Sequence, residues 1–210
     1  MMLTVTHLSL NRTCASVPPL ASNTIHLWTS TFVEWNDYPF ADSLSPDEQA
    51  RLMRFTQAEL RLRYGMGRGL LRYLLGLYIG RAPHTLLFSY SPCGKPSLRQ
   101  APAFNLAHTD ALWVCAVSAA PSLGVDIERV QPLDALPQLV ELCLSEWDLR
   151  QFRALPPSLQ LSAFYHYWTA KEAVLKALGC GLSVPFTVVE IAMQDETPVV
   201  WRINGSPREA

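Results

Sequence analysis

Cysteine, lysine and long apolar runs are scarce in this sequence, and each scarcity excludes a class of protein. The 210-residue chain has five widely spaced cysteines and no C-x-x-C pair, which argues against a disulfide framework or a zinc site. No apolar run approaches the ~20 residues that span a bilayer. Residues 1–23 lack the basic start and apolar run of a signal peptide. We therefore expect a cytoplasmic protein with no membrane partner.

Net charge is also nearly absent. Lysine and arginine number 17 against 18 aspartates and glutamates, for a formal net charge of -1, so the chain is not built to bind a nucleic-acid backbone. Apolar residues make up 49% of the sequence and charged residues 17%, which favours a well-buried core over disorder. The length allows one large domain or two small ones.

The basic residues that are present cluster in one region. Seven arginines lie between Arg51 and Arg81, where Glu59 is the one acid. Two interpretations are open. The arginines could cover a solvated helix face, or they could form an anion site, because guanidinium groups match phosphate oxygens.

Helix and strand signals in the first half indicate mixed α+β structure. Residues 25–31 are typical of a strand. Ser45, Pro46 and Glu48 form the N-terminal signature of a helix with a capping box, and apolar spacing predicts a long helix over 60–80. Strand-like segments follow at 85–90, 104–106 and 112–118, and residues 91–96 have the composition of a turn.

The second half repeats this order. A short strand is predicted at 124–128, Ser145 begins another helix 100 positions after Ser45, and the helix segment at Lys171 matches that at Arg68 at an offset of 103. Strand-like segments follow at 186–193 and 199–203. We predict two similar α+β halves in a pseudo-two-fold tandem repeat, with an active site in the cleft between them.

The repeat also predicts the domain boundaries. Residues 1–23 are expected to be poorly ordered, 24–121 to form the N-terminal half and 122–210 the C-terminal half. The first half ends with the strand at 112–118, whose counterpart would follow residue 203. Because the sequence ends at Ala210, we expect the second half to lack a last strand.

Two acidic patterns in the second half suggest a metal site. Asp126 and Glu128 are two residues apart, so a strand would place both carboxylates on one face, either solvent-exposed or around a cation such as Mg²⁺. Trp168, Glu172 and Lys176 recur every four residues and share one helical face. The alternative there is an ordinary surface ion pair. The position matching Glu172 in the first half is Gly69.

Two basic residues of the first half stand beside turns. Lys95, one of three lysines, lies in the turn Cys93-Gly94-Lys95-Pro96, and His108 ends the segment Phe104-Asn105-Leu106-Ala107-His108. Taken alone, a histidine in such a position is usually structural, and the isolated lysine is weak evidence of a site.

Taken together, these motifs resemble the 4′-phosphopantetheinyl transferases of the long, tandem-repeat type. The likeness rests on Gly124-Val125-Asp126-Ile127-Glu128, on the segment from Trp168 to Gly179, and on the motifs around Lys95 and His108. Such enzymes move the 4′-phosphopantetheine group of coenzyme A to a serine of an apo acyl or peptidyl carrier protein, releasing 3′,5′-ADP. The resemblance therefore implies coenzyme A as donor substrate, a carrier protein as partner, and a monomer.

The resemblance also implies roles for individual residues. Asp126, Glu128 and Glu172 would hold Mg²⁺, with Mn²⁺ as a substitute. Glu172, or a water that it positions, would take the proton of the serine hydroxyl, and Lys176 would neutralise the pyrophosphate.

Further contacts to coenzyme A are implied in the first half. The basic residues that match the family's coenzyme A contacts are Arg51, Arg63, Lys95 and His108. The family often has serine before the histidine, where this chain has Ala107, so one hydroxyl contact to phosphate is lost.

Two other functions remain open at this point. The first is a non-catalytic module that binds coenzyme A or a carrier protein on the same scaffold. The retention of Asp126, Glu128, Glu172 and Lys176 argues against it. The second is an unrelated Mg²⁺-dependent phosphotransferase, which the sequence disfavours because it has no glycine-rich phosphate loop.

The apolar segment 133–144 is either a carrier-docking rim or an ordinary amphipathic helix.

Overall fold

Helices and strands both contribute to the fold, which is of the predicted mixed α+β class. The computed structural model describes residues 3–194 and 197–203, apart from the side chain of Leu182. The strands are β1 Thr4–Ser9, β2 Thr24–Thr31, β3 Phe88–Tyr90, β4 Pro96–Leu98, β5 Ala103–His108, β6 Leu112–Ser118, β7 Val189–Gln194 and β8 Thr197–Ile203. The helices are α1 Pro46–Leu52, α2 Ala58–Ile79, α3 Leu136–Cys143, α4 Glu146–Arg153 and α5 Pro157–Leu178.

Contacts along the chain divide it into two units, Met1–Leu123 and Gly124–Ala210. The first unit contains a four-stranded sheet in the order β1-β2-β6-β5 and a separate antiparallel pair, β3 and β4. β1 runs parallel to β2, whereas β6 runs antiparallel to both of its neighbours, β2 and β5. The core of this unit lies between the sheet and α2.

α2 forms because its apolar residues recur at helical spacing. Leu70, Leu71, Leu74 and Leu75 are fully buried and pack with the indole rings of β2 and β6. The helix ends at Gly80, whose left-handed backbone (φ 64°) suits a residue without a Cβ atom. The periodicity in the sequence therefore predicted this helix correctly.

Two expectations for the first unit are wrong. Residues 1–23 were expected to be poorly ordered, but Thr4–Ser9 form β1, which pairs with β2 from Thr4 opposite Thr24 to Ser9 opposite Thr29. The strand expected over 85–90 is limited to Phe88–Tyr90, because Pro83–Thr85 form a 3₁₀ turn.

The second unit packs α3, α4 and α5 with the antiparallel pair β7 and β8. α4 begins with a capping box in which the backbone N–H of Asp148 donates to Ser145 Oγ at 3.2 Å. α5 ends at Gly179 in the left-handed conformation. In the described segments, no helix is long and apolar enough to cross a membrane.

The short strand predicted at 124–128 is not formed, which corrects the sequence-based expectation. This segment packs against α5 and has no regular secondary structure. The last strand expected to be missing would follow Ile203, where β8 ends. Residues 204–210 lie outside the described residues.

Candidate active site

A close contact between a loop and α5 brings the acidic segment to the helix. A Cβ atom on Gly124 would lie 1.8 Å from the Ala173 carbonyl oxygen and 2.6 Å from the Ala177 nitrogen. Only glycine allows this approach. Packing on the helix therefore takes the place of strand pairing and brings Asp126 within reach of α5.

Asp126 pairs with the lysine near the end of α5. Lys176 Nζ donates to Asp126 Oδ1 at 2.6 Å and to the Val125 carbonyl oxygen at 3.3 Å. The Asp126 side chain is only 7% exposed. Its second carboxylate oxygen, Oδ2, is buried and accepts no hydrogen bond from any described residue. An unpaired buried carboxylate oxygen is unfavourable unless a cation or donor completes it.

Glu172 lies one turn before Lys176 on α5, in the electrostatic field of the other two carboxylates. Burial raises the pKa of Glu172, Asp126 and Glu128 raise it further, and Lys176 opposes them. A carboxylate with a raised pKa is a stronger base than an ordinary one. The spacing of Glu172 and Lys176 thus places both on the side of α5 that faces Asp126, as the sequence predicted.

Glu128 is the third acid of this region and is more exposed than Asp126. Burial raises the pKa of Glu128, and Asp126 raises it further. A hydrogen bond with the Trp168 side chain and the charge of Lys176 lower it. Trp168 in turn stacks on Phe186, with ring centroids 4.9 Å apart. A packed aromatic pair thus holds this carboxylate.

These residues fit a hard divalent cation in donor chemistry. Asp126, Glu128 and Glu172 supply only oxygen ligands, which Mg²⁺ and Mn²⁺ prefer, and Asp126 Oδ2 needs a partner. Within the described part of the chain, no group of three or more His, Cys, Asp or Glu side chains is already arranged to hold a metal ion.

Lys95 lies in the predicted turn of the first unit. The backbone of Gly94 has φ 81°, and the Ser91 N–H donates to the Lys95 carbonyl oxygen at 2.9 Å. Lys95 Nζ donates to the Leu123 carbonyl oxygen at 2.9 Å. Burial lowers the pKa of Lys95. An anionic ligand would compensate for this loss of hydration.

His108 and Arg51 are exposed residues that stand against aromatic rings. His108 ends β5, where its ring meets Phe32 edge-on at 5.9 Å. The Arg51 guanidinium lies 5.4 Å from the centre of the Tyr64 ring.

Arg63 is already neutralised within the first unit. Its guanidinium donates to Glu59 at 2.6 Å and to Asp110 at 2.5 Å. These hydrogen bonds raise the pKa of Arg63. A phosphate at this position would have to displace one or both carboxylates.

Sequence reasoning missed the buried ion pairs of the two units. Glu48, interpreted only as a capping-box residue, also accepts from Arg68 and Arg72 of α2. Asp148 occupies the same capping-box position of α4 and accepts from Lys171 at 2.6 Å. Two arginines of the basic cluster are thus structural. The signal was available in the two Ser-x-x-acid boxes, each followed by a basic residue on the long helix.

Comparison with known proteins identifies the family to which this mixed fold belongs. The model of the 4′-phosphopantetheinyl transferase superfamily matches residues 122–209 of this chain. Together with the relatives described next, one of which is 36% identical over 84% of its own length, this match shows that the chain belongs to the superfamily.

Curated relatives of the long type agree with this assignment. The chain is 36% identical over 199 residues to the 4′-phosphopantetheinyl transferase HetI of Nostoc sp., covering 90% of this chain and 84% of that protein. It is 27% identical over 164 residues to the transferase gsp of Aneurinibacillus migulanus, covering 78% and 68%. It is 26% identical over 169 residues to the transferase Sfp of Bacillus subtilis, covering 80% and 74%.

Proposed function

We propose that this protein transfers the 4′-phosphopantetheine group of coenzyme A to a serine of an apo acyl or peptidyl carrier protein, releasing 3′,5′-ADP. Family membership supports the reaction class. One observation supports the site: Asp126 is held by Lys176, and its buried Oδ2 accepts no hydrogen bond from the described residues, beside two carboxylates of raised pKa.

The transfer replaces one phosphorus–oxygen bond by another. The serine Oγ forms a bond to the phosphorus that carries pantetheine, and the bond from that phosphorus to the bridging pyrophosphate oxygen breaks. The electron pair leaves with 3′,5′-ADP. Such reactions depend on alignment and charge neutralisation more than on covalent help from the protein.

Three carboxylates would hold the metal in this proposal: Asp126, Glu128 and Glu172. Bound Mg²⁺, or Mn²⁺, supplies charge neutralisation and alignment of pyrophosphate oxygens. Glu172, or a water that it positions, takes the serine proton, for which its raised pKa suits it. Lys176 stabilises the negative charge that develops on the leaving oxygen.

Coenzyme A binding is assigned to basic residues of the first unit. Lys95 and His108 would contact its adenosine and 3′-phosphate, with further phosphate contacts from Arg51 and Arg63. The burial of Lys95 supports its part in this assignment. For Arg63 the assignment requires release of Glu59 or Asp110.

The domain arrangement is part of the same proposal. Each unit has a capping-box helix followed by a 22-residue helix that ends in a left-handed glycine, which supports a pseudo-two-fold repeat. We place the coenzyme A cleft between the halves 24–121 and 122–210, in a monomer that acts in the cytoplasm.

The carrier protein is proposed to dock against α3. Val140 and Cys143 of this helix are buried in the core of the second unit, whereas Leu142 is 71% exposed. A large exposed apolar side chain on a short helix is suited to an apolar contact with a partner.

Mass spectrometry of apo carrier proteins tests the function. A carrier should gain the phosphopantetheine mass only when coenzyme A and Mg²⁺ are both present, and Asp126→Ala should abolish the gain. Glu146→Gln, a change at an exposed acid of α4 in the same unit, is the matched control. Full activity of Asp126→Ala would contradict the assigned metal site, and a panel of fatty-acid, polyketide and peptide carriers would identify the partner.

A further inference from the structure

The ion pair between Asp148 and Lys171 is fully buried in the second unit. Lys171 Nζ lies 2.6 Å from Asp148 Oδ2, and both side chains are 0% exposed. The same ammonium group donates to the carbonyl oxygens of Cys143 at 3.0 Å and Phe186 at 3.1 Å. With three acceptors for three hydrogens, Lys171 is held at one point in the core.

Asp148 connects this point to the rest of the unit. Its Oδ2 also accepts from the backbone N–H and the hydroxyl of Ser145, both at 2.9 Å. Its Oδ1 accepts from the Ile191 N–H at 2.9 Å. The pair therefore ties α5 to the end of α3, the start of α4, the 3₁₀ turn Phe186–Val188 and β7. A buried ion pair contributes little net stability over an apolar replacement, so stability alone does not account for this one.

One route runs from Lys171 to Glu172 along the helix. Adjacent helical residues point about 100° apart around the axis. Because Lys171 is anchored in the core, the rotation of α5 is fixed at the residue immediately before Glu172. Glu172 and Lys176 rotate together with α5, so that rotation determines whether the Glu172 carboxylate faces Asp126 and Glu128 in the loop.

A second route runs from Lys171 to Glu128. Lys171 binds the carbonyl oxygen of Phe186, and the Phe186 ring stacks on Trp168 at an interplanar angle of 28°. Trp168 hydrogen-bonds to Glu128. The two routes thus end at two of the three carboxylates assigned to the metal.

We propose that Lys171, held by Asp148, is a positioning residue that sets the geometry of Glu172 and Glu128 for metal binding and catalysis. It contacts no substrate and acts through its three acceptors. The proposal rests on the metal site of the proposed function.

The first unit supplies a matched control with the same chemistry. Arg72 is buried, its Nε donates to Glu48 at 2.5 Å, and its Nη1 donates to the carbonyl oxygens of Pro83 at 2.9 Å and Leu86 at 3.0 Å. Like Lys171, it joins a capping-box acid to two backbone carbonyls. Its neighbours on α2 are Leu71 and Tyr73, so no acid of the site depends on it.

The experiment compares Lys171→Met with Arg72→Met, each alone and each combined with neutralisation of its acid (Asp148→Asn or Glu48→Gln). Three quantities are measured: Tm, kcat and KM with coenzyme A and carrier, and Mn²⁺ affinity by electron paramagnetic resonance. Both single variants should lower Tm. Lys171→Met leaves the buried Asp148 carboxylate without its ammonium partner, whereas Arg72→Met leaves Glu48 paired with Arg68 but removes a second ion pair and two bonds to backbone carbonyls. Lys171→Met should lower kcat and Mn²⁺ affinity by about 10–100-fold, as is typical for residues that orient metal ligands. Its KM for the carrier should stay unchanged.

The double variant separates positioning from stability. Lys171→Met with Asp148→Asn removes both charges, so Tm should recover while kcat and Mn²⁺ affinity stay low. Should Lys171→Met alone not fold, this double variant decides the question. Arg72→Met should leave kcat and Mn²⁺ affinity unchanged.

Three results would overturn the proposal: an equal loss of kcat and Mn²⁺ affinity in Arg72→Met, recovery of kcat together with Tm in the double variant, or a wild-type protein that binds no Mn²⁺. A wild-type protein that binds Mn²⁺ but modifies no carrier would contradict the proposed function instead. In that case the Mn²⁺ affinities of the variants still test the role of Lys171.

Discussion

The two units each place a buried capping-box acid against a base on their long helix, and they differ in the residue that follows that base. In the first unit Glu48 pairs with Arg68, and Gly69 comes next. In the second unit Asp148 pairs with Lys171, and Glu172 comes next. The same scaffold thus carries an acid in one unit and no side chain in the other.

Packing explains the glycine. A Cβ atom on Gly69 would lie 1.9 Å from Cδ1 of Phe40, a buried ring from the 3₁₀ turn Phe40–Ser43. The space that an acid would need in the first unit is filled by an aromatic side chain. The segment before the capping-box helix, which contributes Phe40 in the first unit, therefore affects which residue the long helix can carry at this position.

The largest expected effect comes from removing the acid that only the second unit has. Glu172→Gln keeps the size of the side chain but removes the proposed base and a metal ligand. We expect kcat to fall by about 10²–10⁴-fold, the range for loss of a general base. Carrier modification under single-turnover conditions measures the effect. Glu146→Gln serves again as the control. A Glu172→Gln enzyme with full kcat would contradict the assignment of a base and metal ligand to the second unit.

The next effect tests the packing of the first unit. Gly69→Ala should destabilise the protein by about 1–3 kcal/mol, because the new methyl group overpacks against Phe40. Gly67→Ala is the matched control two residues earlier. Its Cβ atom would meet nothing closer than Trp113 Cδ1 at 4.0 Å, so it should stabilise the helix by up to about 1 kcal/mol. Denaturant unfolding of both variants measures the difference, and equal stabilities would contradict the role of Phe40.

A third effect contrasts how acids of the two units respond to pH. Burial would raise the pKa of Glu48, but Arg68 and Arg72 outweigh it and lower the pKa below 4.5. The stability that Glu48 contributes is therefore present above pH 4.5 and lost as pH falls through its folded pKa. Burial instead raises the pKa of Glu172 above 4.5, so stability decreases as pH rises from 4.5 through the folded pKa.

Unfolding free energies measured between about pH 3 and pH 7, without divalent metal, check these opposite signs. Glu48→Gln should remove the loss of stability on the acid side. Glu172→Gln should remove the loss of stability that occurs as pH rises above 4.5, and it should therefore stabilise the protein near neutral pH. If both substitutions change the pH dependence of the unfolding free energy in the same direction, one of the two pKa directions is wrong.

Local patterns in the sequence predicted the parts of the fold that local interactions determine. The capping boxes at Ser45 and Ser145 and the two long helices follow from residues within a few positions of each other. The i, i+4 spacing of Glu172 and Lys176 likewise placed both on one face. Their prediction required no knowledge of the tertiary structure.

The features that sequence reasoning missed depend on contacts between distant residues. β1 has mostly exposed side chains and is stabilised by pairing with β2, which alternation alone does not reveal. Residues 124–128 have the composition of a strand, but Gly124 packs on α5 instead. The ion pairs of Glu48 with Arg72 and of Asp148 with Lys171 join residues 24 and 23 positions apart, so the capping boxes indicate the acids but not which basic residue of the long helix each one meets.

The smallest expected effect concerns the segments that precede the capping-box helices. In the first unit this segment buries Phe40, whereas in the second it forms α3 and exposes Leu142. Leu142→Ala should raise KM for the carrier severalfold and leave kcat unchanged. It should change stability by no more than about 0.5 kcal/mol, as is usual for an exposed residue. Leu159→Ala, which truncates a 47% exposed leucine of α5, is the control. If KM is the same in both variants, α3 packs on its own core and does not receive the carrier.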